Sequence, residues 1–354
     1  MPNSPDAIIN LSQNYEELRT PVRALCSKYP GEYWRAKDTE REYPTEFVDE
    51  LTSSGFLAAM IPECYGGSGL GVGAGAAILE EIHSTGCNGG ASHAQMYTMG
   101  TVLRHGSEQQ KAKYLPQVAS GALRLQAFGV TEPGTGSDTT QLRTTAEKKD
   151  NDTYLINGQK VWISRALQSD LLLLLARTTP KEDCKKRSEG LSVFLVELDK
   201  AVGNGLEIRP IRTMINHSTN ELFFDNLEIP ASSLIGKEGK GFSYILDGMN
   251  AERILIAGEC LGDARWFVEQ ASKYASERVV FDRPIGANQG IQFPIAKAYA
   301  NAQAADLMTK KAAALFDAGL ACGAEANMAK LLASEASWEA ADVCLQTFGG
   351  FGFA

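Results

Sequence analysis

The sequence predicts an α+β protein in which two helical regions flank a run of strands, and three observations carry that expectation. Apolar residues recur at three- and four-residue steps from about Tyr15 to Leu125. The pattern then changes to short apolar runs from about Gln126 to Gly236, and alanine-rich helical spacing returns after Gly236. The implied domains are 1–125, helical; 126–236, an antiparallel β domain; and 237–354, a C-terminal helical bundle.

In the first region, Glu46 to Leu57 and Gln109 to Val118 have the spacing of amphipathic helices. Between them, Ile61-Pro62-Glu63-Cys64-Tyr65-Gly66-Gly67-Ser68-Gly69-Leu70-Gly71 is too rich in glycine for anything but a loop. It lacks the G-x-G-x-x-G order of a dinucleotide-binding turn, so a Rossmann fold is not expected. In the second region, Thr153–Ile156 and Gln159–Ser164 are separated by Asn157-Gly158, a pair that favours a type I′ turn, and a hairpin is expected there. Leu171–Arg177, Leu191–Leu198, Leu206–Ile211 and Glu221–Ile229 add further strands, with Thr178–Gly190 a charged, solvated loop. In the third region Lys240–Lys273 reads as one long helix or a pair, followed by alanine-rich helices over Ala296–Ala305 and Ala312–Ala329.

At 354 residues, 44% of them hydrophobic, the chain can bury a large core. A net charge of −9 without a basic stripe speaks against nucleic acid as a partner. Seven cysteines without C-x-x-C spacing imply a reducing, cytoplasmic compartment rather than a disulfide framework. The four histidines form no i, i+4 pair, so no metal site is expected. The longest strongly apolar run, Leu171–Ala176, is far too short for a membrane span, and the start has neither signal nor transit composition.

One stretch carries the most chemistry: Phe128-Gly129-Val130-Thr131-Glu132-Pro133-Gly134-Thr135-Gly136-Ser137-Asp138, followed by Lys160-Val161-Trp162-Ile163-Ser164. Glycines and hydroxyls after an apolar strand bring backbone N–H groups close to an anion or a polar ring edge, and a tryptophan offers a flat apolar face. Alone, such a turn is ordinarily structural. Along the long helix, Phe242, Ile245, Met249, Glu252 and Ile256 share a stripe, so Glu252 interrupts an apolar face. Desolvation there would raise its carboxyl above the reference of about 4.3 and make it a better proton acceptor, although a structural ion pair accounts for the spacing equally well. Arg278, in Glu277-Arg278-Val279-Val280-Phe281-Asp282-Arg283-Pro284-Ile285-Gly286, has the forked donors a pyrophosphate needs. Gln346-Thr347-Phe348-Gly349-Gly350-Phe351-Gly352 allows close backbone approach, or caps a helix.

Taken together and in this order, the four motifs resemble the acyl-CoA dehydrogenase family over nearly the whole chain. The resemblance implies FAD as cofactor, an acyl-CoA thioester as substrate, and oxidation by loss of an α proton to a base and of a β hydride to the flavin ring. Asn250-Ala251-Glu252-Arg253 matches the family's long-helix motif, and Glu252 falls where the isovaleryl and long-chain branches carry the catalytic glutamate. By the same resemblance Phe128, Val130, Thr131, Trp162 and Ser164 line the flavin. Ser137 reaches the pyrophosphate or the CoA side, and Asn250 and Arg253 meet substrate. Arg278, Phe281, Gln289, Gln346, Gly349 and Gly350 approach the cofactor of a neighbouring subunit, which implies a homodimer or homotetramer. Ser164 stands where threonine is common, and Asp282 where glycine is usual. An electron-transfer flavoprotein is the implied acceptor. Two other expectations stand: an acyl-CoA oxidase that keeps the flavin but passes electrons to oxygen, and, because most branches keep their base in a segment that would follow Ala354, a catalytically impaired acyl-CoA or flavin-binding protein.

Overall fold

The computed structural model describes residues 13–149 and 152–353. Its α-helices are α1 (Glu16–Cys26), α2 (Gly31–Glu40), α3 (Thr45–Ser53), α4 (Val72–Ser84), α5 (Gly90–His105), α6 (Glu108–Ser120), the short α7 (Leu198–Ala201), α8 (Gly241–Glu277), α9 (Gln289–Asp317), α10 (Gly323–Phe348) and α11 (Gly350–Phe353). The strands are β1 (Ala127–Gly129), β2 (Thr145–Lys148), β3 (Thr153–Ser164), β4 (Leu171–Arg177), β5 (Leu191–Glu197), β6 (Leu206–Pro210), β7 (Thr219–Pro230), β8 (Leu234–Ile235), β9 (Val279–Val280) and β10 (Arg283–Pro284). Two compact units result. One holds the described residues of Met1–Trp34, Leu70–Gly89 and Asn250–Ala354, and the other holds Arg35–Gly69 and Gly90–Met249.

In the second of these units, the leucine run of β4 decides where the sheet sits. Successive side chains of a strand point to opposite faces, and every residue of β4 is buried, so both faces must be covered. Leu171, Leu173 and Leu175 join a cluster with Met99 and Val102 of α5 and Tyr114, Leu115 and Val118 of α6. Leu172, Leu174 and Ala176 join another with Tyr154, Ile156 and Ile163 of β3 and Leu222 and Phe224 of β7. The sheet order is β6-β7-β3-β2-β4-β5-β8, with β1 on β4.

That sheet corrects the sequence expectation twice. It is mixed rather than antiparallel, because β1 runs parallel to β4 and β2 meets β4 in parallel at Thr145↔Arg177. No hairpin forms at Asn157-Gly158 either: β3 is one strand from Thr153 to Ser164, paired along its length with β7. The positive φ that glycine permits is used instead for a bulge, with Gly158 at φ 145° and Thr144 Oγ1 2.6 Å from where a Cβ would stand. Asn157 locks that bulge by accepting the Asn226 amide of β7 at 2.8 Å.

The helices follow the same logic of stops. The expected Glu46–Leu57 helix ends at Ser53, where Gly55 at φ 81° turns the chain into a short 3-10 segment, Phe56–Ala58. Lys240–Lys273 is a single helix, α8. The Ala312–Ala329 stretch is not continuous, since α9 stops at Asp317 and Gly319 takes φ 68° before α10 begins. In the unit that contains α9 and α10, Ala298, Ala302 and Ala305 of α9 and Ala326, Ala329, Ala333, Ala336 and Ala340 of α10 are buried, small side chains that let helix axes approach closely. Among the described residues no helix is long and apolar enough to cross a membrane.

Glycine also sets the approach of α8 to α4. A Cβ on Gly258 would stand 2.6 Å from the Ala76 carbonyl oxygen, and one on Gly262 would collide with the Glu80 carbonyl. On an open helix face glycine to alanine stabilises by up to about 1 kcal/mol. Here crowding of rigid backbone wins, and Gly258→Ala is expected to cost about 1–3 kcal/mol in urea denaturation. A variant as stable as the parent would mean that α4 and α8 can separate freely.

Candidate active site

Two buried charges organise the glycine-rich run from beneath. The Lys160 side chain, in β3, is wholly buried, and Glu132, at the head of the turn, is 6% exposed. Lys160 Nζ donates to Glu132 Oε1 at 2.9 Å and to the Val130 carbonyl at 3.0 Å. The same carboxylate accepts the Arg143 and Thr144 amides at 2.7 and 2.9 Å. Above it, Glu132 and Thr135 exchange two backbone bonds of 3.0 Å, and the Thr131 carbonyl accepts the Val161 amide at 2.9 Å. Burial pushes the Lys160 ammonium down to about 8 despite Glu132. Burial would also raise the Glu132 carboxyl, but Lys160 and the hydrogen bonds from Thr144 and Arg143 hold it below the usual carboxylate range. The geometry is that of a buried ion pair.

Directly after Lys160 the pairing of β3 with β7 slips, and Trp162 takes φ 63° in the irregular segment. A bulge re-aims a side chain, and the indole is left 60% exposed where its neighbours Val161 and Ile163 are buried. Val130, Thr131 and Ser164 are part-buried, Ser164 pairing with Thr219 of β7. Phe128 stands edge-on to Tyr97 at 5.7 Å. The backbone thus brings Thr131 to the strand that carries Trp162, while Ser137 is exposed beyond the turn. Neither Glu132 nor Lys160 was given a role from the sequence. The signal was there: a lysine inside an apolar strand is buried only with a counter-charge.

In the other unit, Glu252 lies part-buried on α8, and Arg253 donates to the Asn250 side chain at 3.2 Å. Past the end of α8, Arg278 lines a cavity of about 500 Å³ with Gly349, Gly350, Phe348 and Phe351, its floor the stacked rings of Tyr274 and Phe348, 4.2 Å apart. The Arg278 and Gly349-Gly350 motifs are therefore joined, as expected of one site. Gln289 and Gln346 are exposed and do not line this cavity, and neither does Phe281, 93% exposed. Phe281 and Asp282 form the turn between β9 and β10, at φ 52° and 60°. That explains why glycine would suit position 282, and aspartate is among the residues that tolerate the left-handed region.

Models of the N-terminal, middle and C-terminal domains of acyl-CoA dehydrogenase match residues 12–122, 127–227 and 239–354. The chain belongs to the acyl-CoA dehydrogenase family. It is 37% identical to an acyl-CoA dehydrogenase of Bacillus subtilis over 98% of this chain and 90% of that one. It is 35% identical to the glutaryl-CoA dehydrogenase of Desulfococcus multivorans, over 98% and 89% respectively. Among solved structures, a glutaryl-CoA dehydrogenase in complex with glutaryl-CoA superposes with a TM-score of 0.89 at 34% identity, covering 98% of this chain and 87% of that one.

The residues fit the FAD that this family carries. Thr131, bonded through its carbonyl to the Val161 amide, joins the turn to the strand that carries the exposed Trp162 indole and part-buried Ser164, and Gly134 and Gly136 of the turn have open space where a Cβ would be. Trp162→Ala is expected to leave unfolding within about 0.5 kcal/mol of the parent, as exposed positions do, while lowering the FAD content of the purified protein. Equal FAD content would remove Trp162 from the cradle. Glu132→Gln leaves the Lys160 ammonium buried without its counter-charge and should cost about 3–5 kcal/mol in denaturant unfolding. A carboxyl held low in the fold contributes stability above its unfolded value, near pH 4.3, that is lost as pH falls through the folded value. The acid limb of a stability–pH profile should therefore flatten in Glu132→Gln.

Proposed function

We infer that Glu252 is the base in the FAD-dependent acyl-CoA dehydrogenation performed by this family. The observation that carries this reading is a part-buried carboxylate on an uninterrupted helix, between Met249 and Ile256 on the same stripe and inside the Asn250–Arg253 motif. FAD, when bound, supplies the acceptor for the β hydride. Phe128, Val130, Thr131, Trp162 and Ser164 hold and orient that cofactor, Ser137 lies toward its pyrophosphate or the CoA, and Asn250 and Arg253 position the thioester. Arg278, Phe281, Gln289, Gln346, Gly349 and Gly350 serve the cofactor of an adjoining copy. The segments 1–125, 126–236 and 237–354 act as the three domains, and an electron-transfer flavoprotein takes the electrons. Seven free thiols favour a reducing, cytoplasmic compartment.

Glu252→Gln is expected to slow anaerobic flavin bleaching by an acyl-CoA about 10²–10⁴-fold with FAD retained. Bleaching at the parental rate would exclude Glu252 as the base.

The homo-oligomer rests on a separate observation. On α10, Leu331, Trp338 and Leu345 are 54%, 80% and 52% exposed and recur every seventh residue, one apolar stripe on one helix face. Trp338→Glu should reduce the mass measured by sedimentation to that of a smaller assembly. A parental species already monomeric would overturn the proposal.

A further inference from the structure

At the end of α5, Arg104 is a part-buried cation without a counter-ion. Among the described residues no carboxylate pairs with it, and its Nε is closed off from solvent without a hydrogen-bond partner. Its guanidinium lies across two glycines of facing helices. A Cβ on Gly100 of α5 would stand 3.1 Å from Nη1, and one on Gly248 of α8 would stand 3.2 Å from Nη2, so the guanidinium lies close against the backbone at both glycines. Asp247, the acid whose field it feels, lies 3.2 Å from His105 Nε2 instead, and the His105 ring stacks on Tyr244 at 4.1 Å. Burial pulls the Arg104 pKa below the usual arginine value and Asp247 only partly offsets this.

A cation that merely answers a helix dipole bonds the last carbonyls or stays in water. Arg104 does neither at Nε, and a guanidinium cannot shed its proton to escape the cost of desolvation. An anion from outside the chain would complete such a group. Gly248 stands one helical turn ahead of Glu252 along α8, which puts this contact on the helix that carries the proposed base.

We propose that Arg104 binds an oxyanion of the thioester substrate through its forked donors. The oxyanion belongs either to a phosphate of the CoA handle or to a carboxylate ending the acyl group, and both have the planar or tetrahedral oxygens that a guanidinium grips in pairs. The assignment rests on the acyl-CoA reading above.

Isothermal titration of the FAD-loaded protein tests it, with CoA, pantetheine, butyryl-CoA and glutaryl-CoA as probes and Arg104→Met as the variant, which keeps much of the apolar stem. A charge-assisted contact is worth a loss of about ten- to a hundred-fold in affinity. Loss for CoA but not for pantetheine identifies a phosphate. Loss for glutaryl-CoA with butyryl-CoA unchanged identifies a carboxylate. Parental affinity for all four probes in a folded variant overturns the proposal while the acyl-CoA reading stands. A parent that binds none of the four overturns both. Should Arg104→Met fail to fold, Arg104→Lys, which keeps charge but loses the fork, is expected to weaken the same probe, and unchanged affinity there also overturns the proposal.

Discussion

The Lys160–Glu132 pair is the constraint on which the sheet unit's candidate site depends. An isolated ammonium in that interior would cost several kcal/mol, and so would an isolated carboxylate, so neither residue is tolerable without the other. Their union ties the middle of β3 to the first residue of the glycine-rich turn. Glu132 also accepts two amides from the segment that leads into β2, and Lys160 adds the Val130 carbonyl. With those anchors in place, the turn is closed by its own backbone and Thr131 is bonded to Val161. The polar groups that face outward on Thr131 and Trp162 are positioned by groups that face inward.

Elsewhere the chain achieves fixed geometry by removing side chains rather than pairing them. Gly258 and Gly262 let α8 lie against the backbone of α4. Charges then frame that contact: Glu80 accepts from Arg19 and from Arg265 at 2.6 Å each, and Glu81 accepts from Arg23 at 2.6 Å. Asp306 of α9 is reached in turn by Lys310 at 3.0 Å and Arg265 at 3.4 Å. Glu80, Glu81 and Asp306 therefore each have two cations, the condition under which buried charge is tolerated. Arg104 stands out against this background because, among the described residues, no carboxylate pairs with it and its Nε has no hydrogen-bond partner.

Strands and helices with strong periodicity were legible in the residues. The β4 leucines, the helix expected over Gln109–Val118 and found as Glu108–Ser120, and the single α8 where one helix or a pair was expected all follow from local pattern. The failures share one cause. Asn157-Gly158 has the torsional freedom a hairpin needs, but whether it turns or bulges depends on the strands available on either side. Here β7 runs along β3 from Thr153 to Ser164 and β2 pairs with Tyr154–Asn157 on the other side, so continuing the strand satisfies more backbone groups than folding back. Asp282 looked out of place beside a phosphate motif until its φ showed that position 282 is a turn.

What the sequence determined by itself is the order of motifs, and with it the family, because short-range chemistry such as a glycine turn, a base on an apolar stripe or a guanidinium fork is written in adjacent residues. The partners of buried charges belong to the tertiary structure alone. Lys160 and Glu132 are 28 residues apart in sequence, and Arg104 and Gly248 are separated by most of the sheet unit. Pairing across such distances is settled only when the core closes, since the cost of desolvation exists only once water has been excluded.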